Sequence, residues 1–142
     1  MPAIEPAQVA ETAEVKALLI ECGLPVTDIT TMSGFLVARA GGEICGTVGL
    51  EQLGEAALLR SLAVRRQQRN QRLGQRLCDE ALATARKEGV KTVYLLTTDA
   101  TKFFRKLGFD EVARDAAPAS VRATTQFASL CPASATLMSR EP

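Results

Sequence analysis

The sequence predicts a single-domain α/β (α+β) fold, with a central, mostly antiparallel mixed sheet flanked by helices. Three observations predict it. The 142 residues are 46% apolar and 23% charged, a globular balance at a length that suits one domain. A chain of that size hides about 70% of its unfolded surface, enough for a real core. Segments with helical apolar spacing alternate with β-branched apolar runs, and glycines punctuate them where hairpins turn or helices stop.

Each element follows in order. Residues 3–6 read as a short strand. In Glu14–Cys22, the residues Val15, Leu18, Leu19 and Cys22 fall at the i, i+3, i+4, i+7 spacing of an amphipathic helix. Gly23 ends that helix and Pro25 prevents its continuation. The Thr- and Asp-rich stretch through Ser33 reads as loop. Phe35–Arg39 and Glu43–Leu50 flank Ala40-Gly41-Gly42, a hairpin turn, and Gln52–Glu55 reads as the next turn. Ala57–Val64 is a nearly continuous apolar run, as expected of a central strand covered on both faces.

A helix is expected from Leu73 to Glu88, with Leu73, Leu77, Ala81 and Ala85 on one stripe and Gly89 just past its end. Val90–Thr97 reads as a buried strand. Asp99 is placed to cap a short helix through Leu107, closed by Gly108. Phe109–Arg114 and Ala135–Ser139 read as the last strands, separated by a long loop. An edge strand at Ala135–Ser139 would let two copies pair across a two-fold axis as a homodimer.

Composition excludes several function classes. Seventeen basic and 16 acidic residues leave a net charge of +1, so no global field favours nucleic acid. With one Tyr and no Trp, the chain also lacks the aromatic platforms of single-strand binders. No apolar run reaches the roughly 18 residues of a membrane span, and the expected location is the cytoplasm. Histidine is absent, which rules out Ser-His-Asp and Cys-His nucleophile sites and any His-ligated metal. Cys22, Cys45, Cys78 and Cys131 stand far apart without a C-x-x-C pair; they read as reduced and mostly buried, and no metal site is expected.

Local charge is far less even. From Ala56 to Cys78 the chain carries six arginines (Arg60, Arg65, Arg66, Arg69, Arg72 and Arg76) and no acid. Here a buried strand runs into a polar loop and the loop into a helix. A helix start presents unpaired N–H groups and partial positive charge, so it attracts phosphates, and the arginines strengthen that field. A pyrophosphate-bearing cofactor is the natural guest.

Arg69-Asn70-Gln71-Arg72-Leu73-Gly74 resembles the signature of the GNAT acetyltransferase superfamily, Q/R-x-x-G-x-G/A at the start of its long helix. The first and last positions fit, and Arg72 replaces the middle glycine. The resemblance extends to Ile4-Glu5-Pro6-Ala7 as first strand, to the Phe35–Leu50 hairpin, and to Ala100–Phe109 as the short helix with its LGF turn. Ala57–Leu62, Tyr94–Thr98 and Arg122-Ala123-Thr124 with Phe127–Pro132 are similar to the arsenic-operon, ArsN-like branch.

The resemblance implies an N-acetyltransferase that moves an acetyl group from acetyl-CoA directly to a small amine in a ternary complex, without metal. The branch implies an amino-acid-like arsenical or phosphinate toxin as acceptor. By the same analogy the N–H of Leu62 polarises the thioester carbonyl, and Val64 pairs with the pantetheine chain. Arg69, Asn70, Gln71, Arg72, Leu73 and Gly74 would hold the pyrophosphate. Phe104 also falls at the cofactor, where many members carry a tyrosine that protonates the leaving thiolate. The only tyrosine here, Tyr94, reads as core.

For the base that deprotonates the amine, Glu51 at a strand end is the first candidate and Glu55 a weaker one; both also read as solvated charges. Arg60 lies on a buried strand, where an arginine is costly unless paired. It either pairs with Glu51 or grips an anionic substrate group, and Arg122 raises the same question. Cys131 reads as buried rather than ligating. Arg72 and Phe104, as departures from the pattern, leave open a non-catalytic acyl-CoA-binding module.

Overall fold

The computed structural model describes residues 2–130 and 134–142, with residues 70, 71, 129 and 130 described by backbone only. The elements in chain order are β1 (Ala3–Pro6), α1 (Thr12–Glu21), β2 (Phe35–Ala40), β3 (Glu43–Leu53), β4 (Ala56–Val64), α2 (Leu73–Lys87), β5 (Thr92–Thr97), α3 (Thr101–Lys106), β6 (Asp110–Glu111), α4 (Ala119–Arg122) and β7 (Thr136–Arg140). The strands form one seven-stranded sheet in the order β1-β2-β3-β4-β5-β7-β6. The β1–β2, β2–β3, β5–β7 and β6–β7 pairs are antiparallel and β4–β5 is parallel, which is the mixed, mostly antiparallel sheet that the sequence predicts. No helix among the described residues is long and apolar enough to cross a membrane.

The chain packs as two compact units, Met1–Leu50 with Ser61–Leu82 and Glu51–Arg60 with Ala83–Pro142. In the first, Val15, Leu18 and Leu19 of α1 pack with Ile29, Met32, Phe35, Val37, Ile44 and Ala63. The β2–β3 register slips between Ala38 and Arg39, and the Ile44 N–H donates to the Glu14 carboxylate of α1 at 2.9 Å. A polar group that would be stranded at the bulge is thus satisfied. Gly46 of β3 lets α2 lie close: a Cβ there would stand 2.9 Å from Leu77 Cδ1 and 3.3 Å from Leu73 Cδ2. Both leucines are fully buried, as the helical stripe requires.

In the second unit Ala56, Leu58, Ala117, Val121 and Leu137 form the core, with Leu53, Tyr94, Leu96, Val112 and Phe127 packed against it. The β4–β5 pairing covers Ala56–Leu58 against Thr92–Tyr94, and β4 runs on to Val64. Gly89, at φ 78, ends α2 in the left-handed conformation that favours glycine.

Several elements differ from the sequence expectation. β3 continues to Leu53, so the turn is narrower than Gln52–Glu55. Its last residues are not uniformly apolar, and pairing rather than hydropathy extends the strand. The Phe109–Arg114 segment pairs only at Asp110–Glu111 and then enters a 3₁₀ turn at Arg114–Ala116. Asp99 does not cap α3; the Ala100 N–H donates instead to the Thr97 hydroxyl at 3.0 Å. The long loop holds α4 and a π-helical turn at Gln126–Leu130. β7 is no edge strand: it lies between β5 and β6, with Ser139 and Met138 paired to Asp110 and Glu111 on its outer side.

Candidate active site

The phosphate-turn residues gather in the first unit. β4 ends on Leu62, Ala63 and Val64, of which Ala63 is buried while Leu62 and Val64 are half-buried. Just before them Ser61 sits at φ 57, and it is also buried. A non-glycine residue in the left-handed region costs about 1–2 kcal/mol and breaks the regular pleat of a strand. All residues of β4 before Leu62 are buried, whereas alternation appears after Ser61. Sequence gave no sign of this position, because a serine in an apolar run carries no signal for positive φ.

Past Val64 the chain makes a 3₁₀ turn over Arg66–Gln71, and Arg72 follows at φ 55, ψ 25 before α2 begins at Leu73. A right-handed turn followed by one left-handed residue is the backbone pattern from which anion-binding concavities are built. The start of the 15-residue α2 adds its own unpaired donors at the same place. Arg72 therefore occupies the backbone conformation for which glycine is suited, and the motif's departure at this position leaves the turn formed.

Most arginines of the loop are fastened to the protein. The Arg65 N–H donates to the Cys45 carbonyl at 2.7 Å, and its guanidinium donates to the Ile44 carbonyl at 2.9 Å and stands 3.9 Å from the Glu43 carboxylate. Arg69 Nε donates to the Val64 carbonyl at 3.0 Å, and its Nη2 lies 3.7 Å from Cys22 Sγ. Arg76 Nη1 donates to the Pro2 carbonyl at 3.0 Å. These bonds hold the loop to β3, to β4 and to the N-terminal segment. Leu73 is fully buried and Gly74 half-buried, so these two contribute backbone rather than side chain to the turn.

The second unit carries the other expected site residues. Glu51 is half-buried on β3, inside the strand rather than at its end. Glu55 is exposed; its carboxylate lies 3.7 Å from Lys91 Nζ, an ion pair that gives it an ordinary surface role. Arg60 is 8% exposed and engaged in a polar interaction, so its charge is buried but not bare. Arg122 ends α4 and is exposed. Phe104 of α3 is buried between the rings of Phe103 and Phe109, at 5.1 and 5.8 Å in edge-to-face contact. Tyr94 packs against the apolar core of its unit, as its place in the strand implies. Cys45 and Cys78 are buried and Cys22 is half-buried, all as free thiols, and burial raises the Cys45 thiol above its usual range. Cys131 lies outside the described residues.

Comparison with known proteins decides the family. A family model described as "Acetyltransferase (GNAT) domain" matches residues 32–111. The chain belongs to the GNAT acetyltransferase family. It is 32% identical over 100 residues to a probable N-acetyltransferase camello of Xenopus tropicalis, covering 66% of this chain and 46% of that protein. It is 32% identical over 88 residues to an uncharacterized N-acetyltransferase of Chlorobaculum tepidum, covering 61% of this chain and 56% of that one. The chain thus spans about half the length of the relatives it matches.

Among solved structures, N-acetylglutamate synthase from Neisseria gonorrhoeae, complexed with coenzyme A and N-acetyl-glutamate, matches with a TM-score of 0.86 at 20% identity. That likeness covers 99% of this chain and 35% of the synthase. Rv2747 from Mycobacterium tuberculosis, in complex with CoA and NLQ, matches at 0.84 and 21% identity over 99% of both chains. At these identities the likeness speaks for the fold, a GNAT fold over the whole chain.

Proposed function

We propose that the chain is an N-acetyltransferase that moves the acetyl group of acetyl-CoA to the amine of a small, amino-acid-like acceptor in a ternary complex. The observation that carries this reading is the turn between β4 and α2, where Arg72 keeps a glycine's conformation directly before the helix start. The turn and helix start suit a diphosphate, and family membership gives the diphosphate an acetyl-bearing owner.

In this reading the N–H groups from Asn70 to Gly74, with Arg69 and Arg72, hold the pyrophosphate. The Val64 backbone pairs with the pantetheine arm, with Phe104 also at the cofactor. The Leu62 N–H donates to the thioester oxygen as negative charge develops there. Glu51, directly or through water, takes the proton from the acceptor ammonium. The amine nitrogen then attacks the thioester carbon, the C–N bond forms, the C–S bond breaks, and CoA leaves as thiolate. Phe104 has no proton to give, so the second proton of the attacking nitrogen reaches the thiolate through water, leaving a neutral amide and the CoA thiol.

Arg60 and Arg122 are assigned to an anionic group of the acceptor. The neighbour complexed with N-acetyl-glutamate supports an acceptor of amino-acid type. The ArsN-like features favour arsenical and phosphinate amino acids within that class, acetylated in the cytoplasm as a detoxification. Phe104 favours one second reading, an acyl-CoA-binding module without turnover.

Calorimetric titration with acetyl-CoA, followed by a screen of amino acids including phosphinate and arsenical ones, tests the proposal. Micromolar binding with release of free CoA thiol for at least one amine is expected. Binding without turnover on any amine would leave the module reading, and no binding would end both. Glu51→Gln should lower kcat about 10²-fold, in the usual range for losing a general base, with acetyl-CoA affinity unchanged.

A further inference from the structure

We propose that Arg114 is a positioning residue for the acceptor. It ties the segment from Arg114 to Phe127 over the sheet face that carries Glu51 and Arg60, and acceptor binding rather than cofactor binding depends on that tie. The proposal rests on the acetyl-transfer reading above, which places Glu51, Arg60 and Arg122 at the acceptor, and adds Arg114, Thr124 and Phe127 to it.

Strand alternation identifies the face. Leu53 of β3 and Leu58 of β4 both pack in the apolar core of the second unit. Side chains two apart on a strand share a face, so Glu51 lies on the side of Leu53 and Arg60 on the side of Leu58. The same core takes Ala117, Val121 and Phe127 from the segment that follows β6. That segment therefore covers the face on which the candidate base and the buried guanidinium stand.

The cover is tied by one side chain. The Arg114 guanidinium carbon lies 4.6 Å from the centre of the Phe127 ring, and its Nη1 donates to the Ala135 carbonyl at 2.8 Å. A planar guanidinium can lay its face on a ring while its edge donates to an oxygen, which an ammonium on a flexible stem cannot match. From Phe127 the tie runs inward. The Phe127 N–H donates to the Thr124 hydroxyl at 3.2 Å, and that hydroxyl donates to the Val121 carbonyl at 2.7 Å. Thr124 is buried and Val121 fully so, and Arg122 follows directly at the end of α4. A four-residue helix has no stability of its own, so the placing of Arg122 depends on these contacts. Phe127 also belongs to the π-helical turn at Gln126–Leu130, a rare form found mostly at functional sites.

The test is steady-state kinetics on the whole protein and on Arg114→Met, Phe127→Leu, Phe127→Tyr and the double variant of the first two. Glutamate and its phosphinate and arsenical analogues serve as acceptors, with free CoA thiol as the readout. Calorimetric titration of acetyl-CoA and a thermal melt accompany each variant. Arg114→Met should raise the acceptor KM about tenfold, as for loss of a cation–π contact together with a hydrogen bond. Phe127→Leu, which loses only the ring, should raise it about threefold. Both should keep the parent's kcat and acetyl-CoA affinity, the pattern of lost acceptor binding. Phe127→Tyr keeps the ring and should match the parent. The double variant should be no worse than Arg114→Met alone, because both changes break one contact.

A parent-like acceptor KM in Arg114→Met would overturn the proposal, and so would additive effects in the double variant. Acetyl-CoA affinity falling with KM, alongside a lower melting temperature, would make Arg114 a contact of the fold alone. A parent that turns over none of these acceptors is a different failure: it ends the amino-acid reading, and this proposal with it.

Discussion

Arg72 illustrates how one side chain can oppose its own backbone. At φ 55 glycine would be more stable by about 1 kcal/mol, so Arg72→Gly should raise the melting temperature by about 3–5 °C. The same variant should bind coenzyme A more weakly, because it removes a guanidinium. A melt and a titration on one preparation read both signs, and a variant that gains stability without losing affinity would count against a phosphate contact. Thr47 offers a simpler case. It is fully buried, and its Oγ1 meets no hydrogen-bond partner among the described residues. A stranded hydroxyl forfeits its hydration, so Thr47→Val, of nearly equal volume, should stabilise by about 1 kcal/mol in chemical denaturation.

Among the elements, two glycines set how closely segments approach, and they should differ in tolerance. A Cβ on Gly34, at φ 80, would lie 2.4 Å from the Leu50 carbonyl oxygen, a backbone atom that cannot swing away. A Cβ on Gly46 meets chiefly leucine methyl groups of α2, which can shift. Gly34→Ala should therefore cost about 3 kcal/mol or more and Gly46→Ala about 1–2 kcal/mol, measured by urea unfolding. The reverse order would contradict this packing.

The N-terminal elements carry the clearest pH dependence. Arg39 donates to Glu11 at 2.6 and 2.9 Å and to Glu5 at 3.0 Å, fastening the 3₁₀ turn at Val9–Glu11 to β2. The Arg39 guanidinium, and next the Gln8 N–H, hold the Glu11 carboxyl below its usual 4.5. A depressed acid stabilises fully above its unfolded value, and that stability is lost as pH falls through the lower folded value. Glu11→Gln should melt lower than the parent at neutral pH, with the gap closing below about pH 4. A gap constant down to pH 3 would mean that packing, not charge, holds this turn.

At the scale of the whole molecule, a net charge of +1 conceals a local field from the arginine segment. Ligand linkage makes that field measurable. Acetyl-CoA at a hundred times its Kd should stabilise the protein by about 2.7 kcal/mol, and added salt should shrink the shift by weakening binding. A shift that is indifferent to salt would place the binding energy elsewhere than on the arginines.

Much was legible in the sequence because it depends on near neighbours. Apolar spacing at Val15, Leu18 and Leu19, the stripe from Leu73 to Ala85, and the glycines after α1, α2 and α3 follow from periodicity and backbone sterics. The arginine segment and its motif pointed to the family before any coordinate. What tertiary structure decided depends on partners distant in sequence. β7 became an inner strand because β6 pairs with its other side. Ser61 took positive φ against its own preference. Arg65, Arg69 and Arg76 became pins because carbonyls of Ile44, Val64 and Pro2 stand in reach, while Arg66 and Arg72 kept their charges free. Identical side chains in one run take opposite roles, since a guanidinium's role is set by the nearest acceptor, which the run itself does not encode.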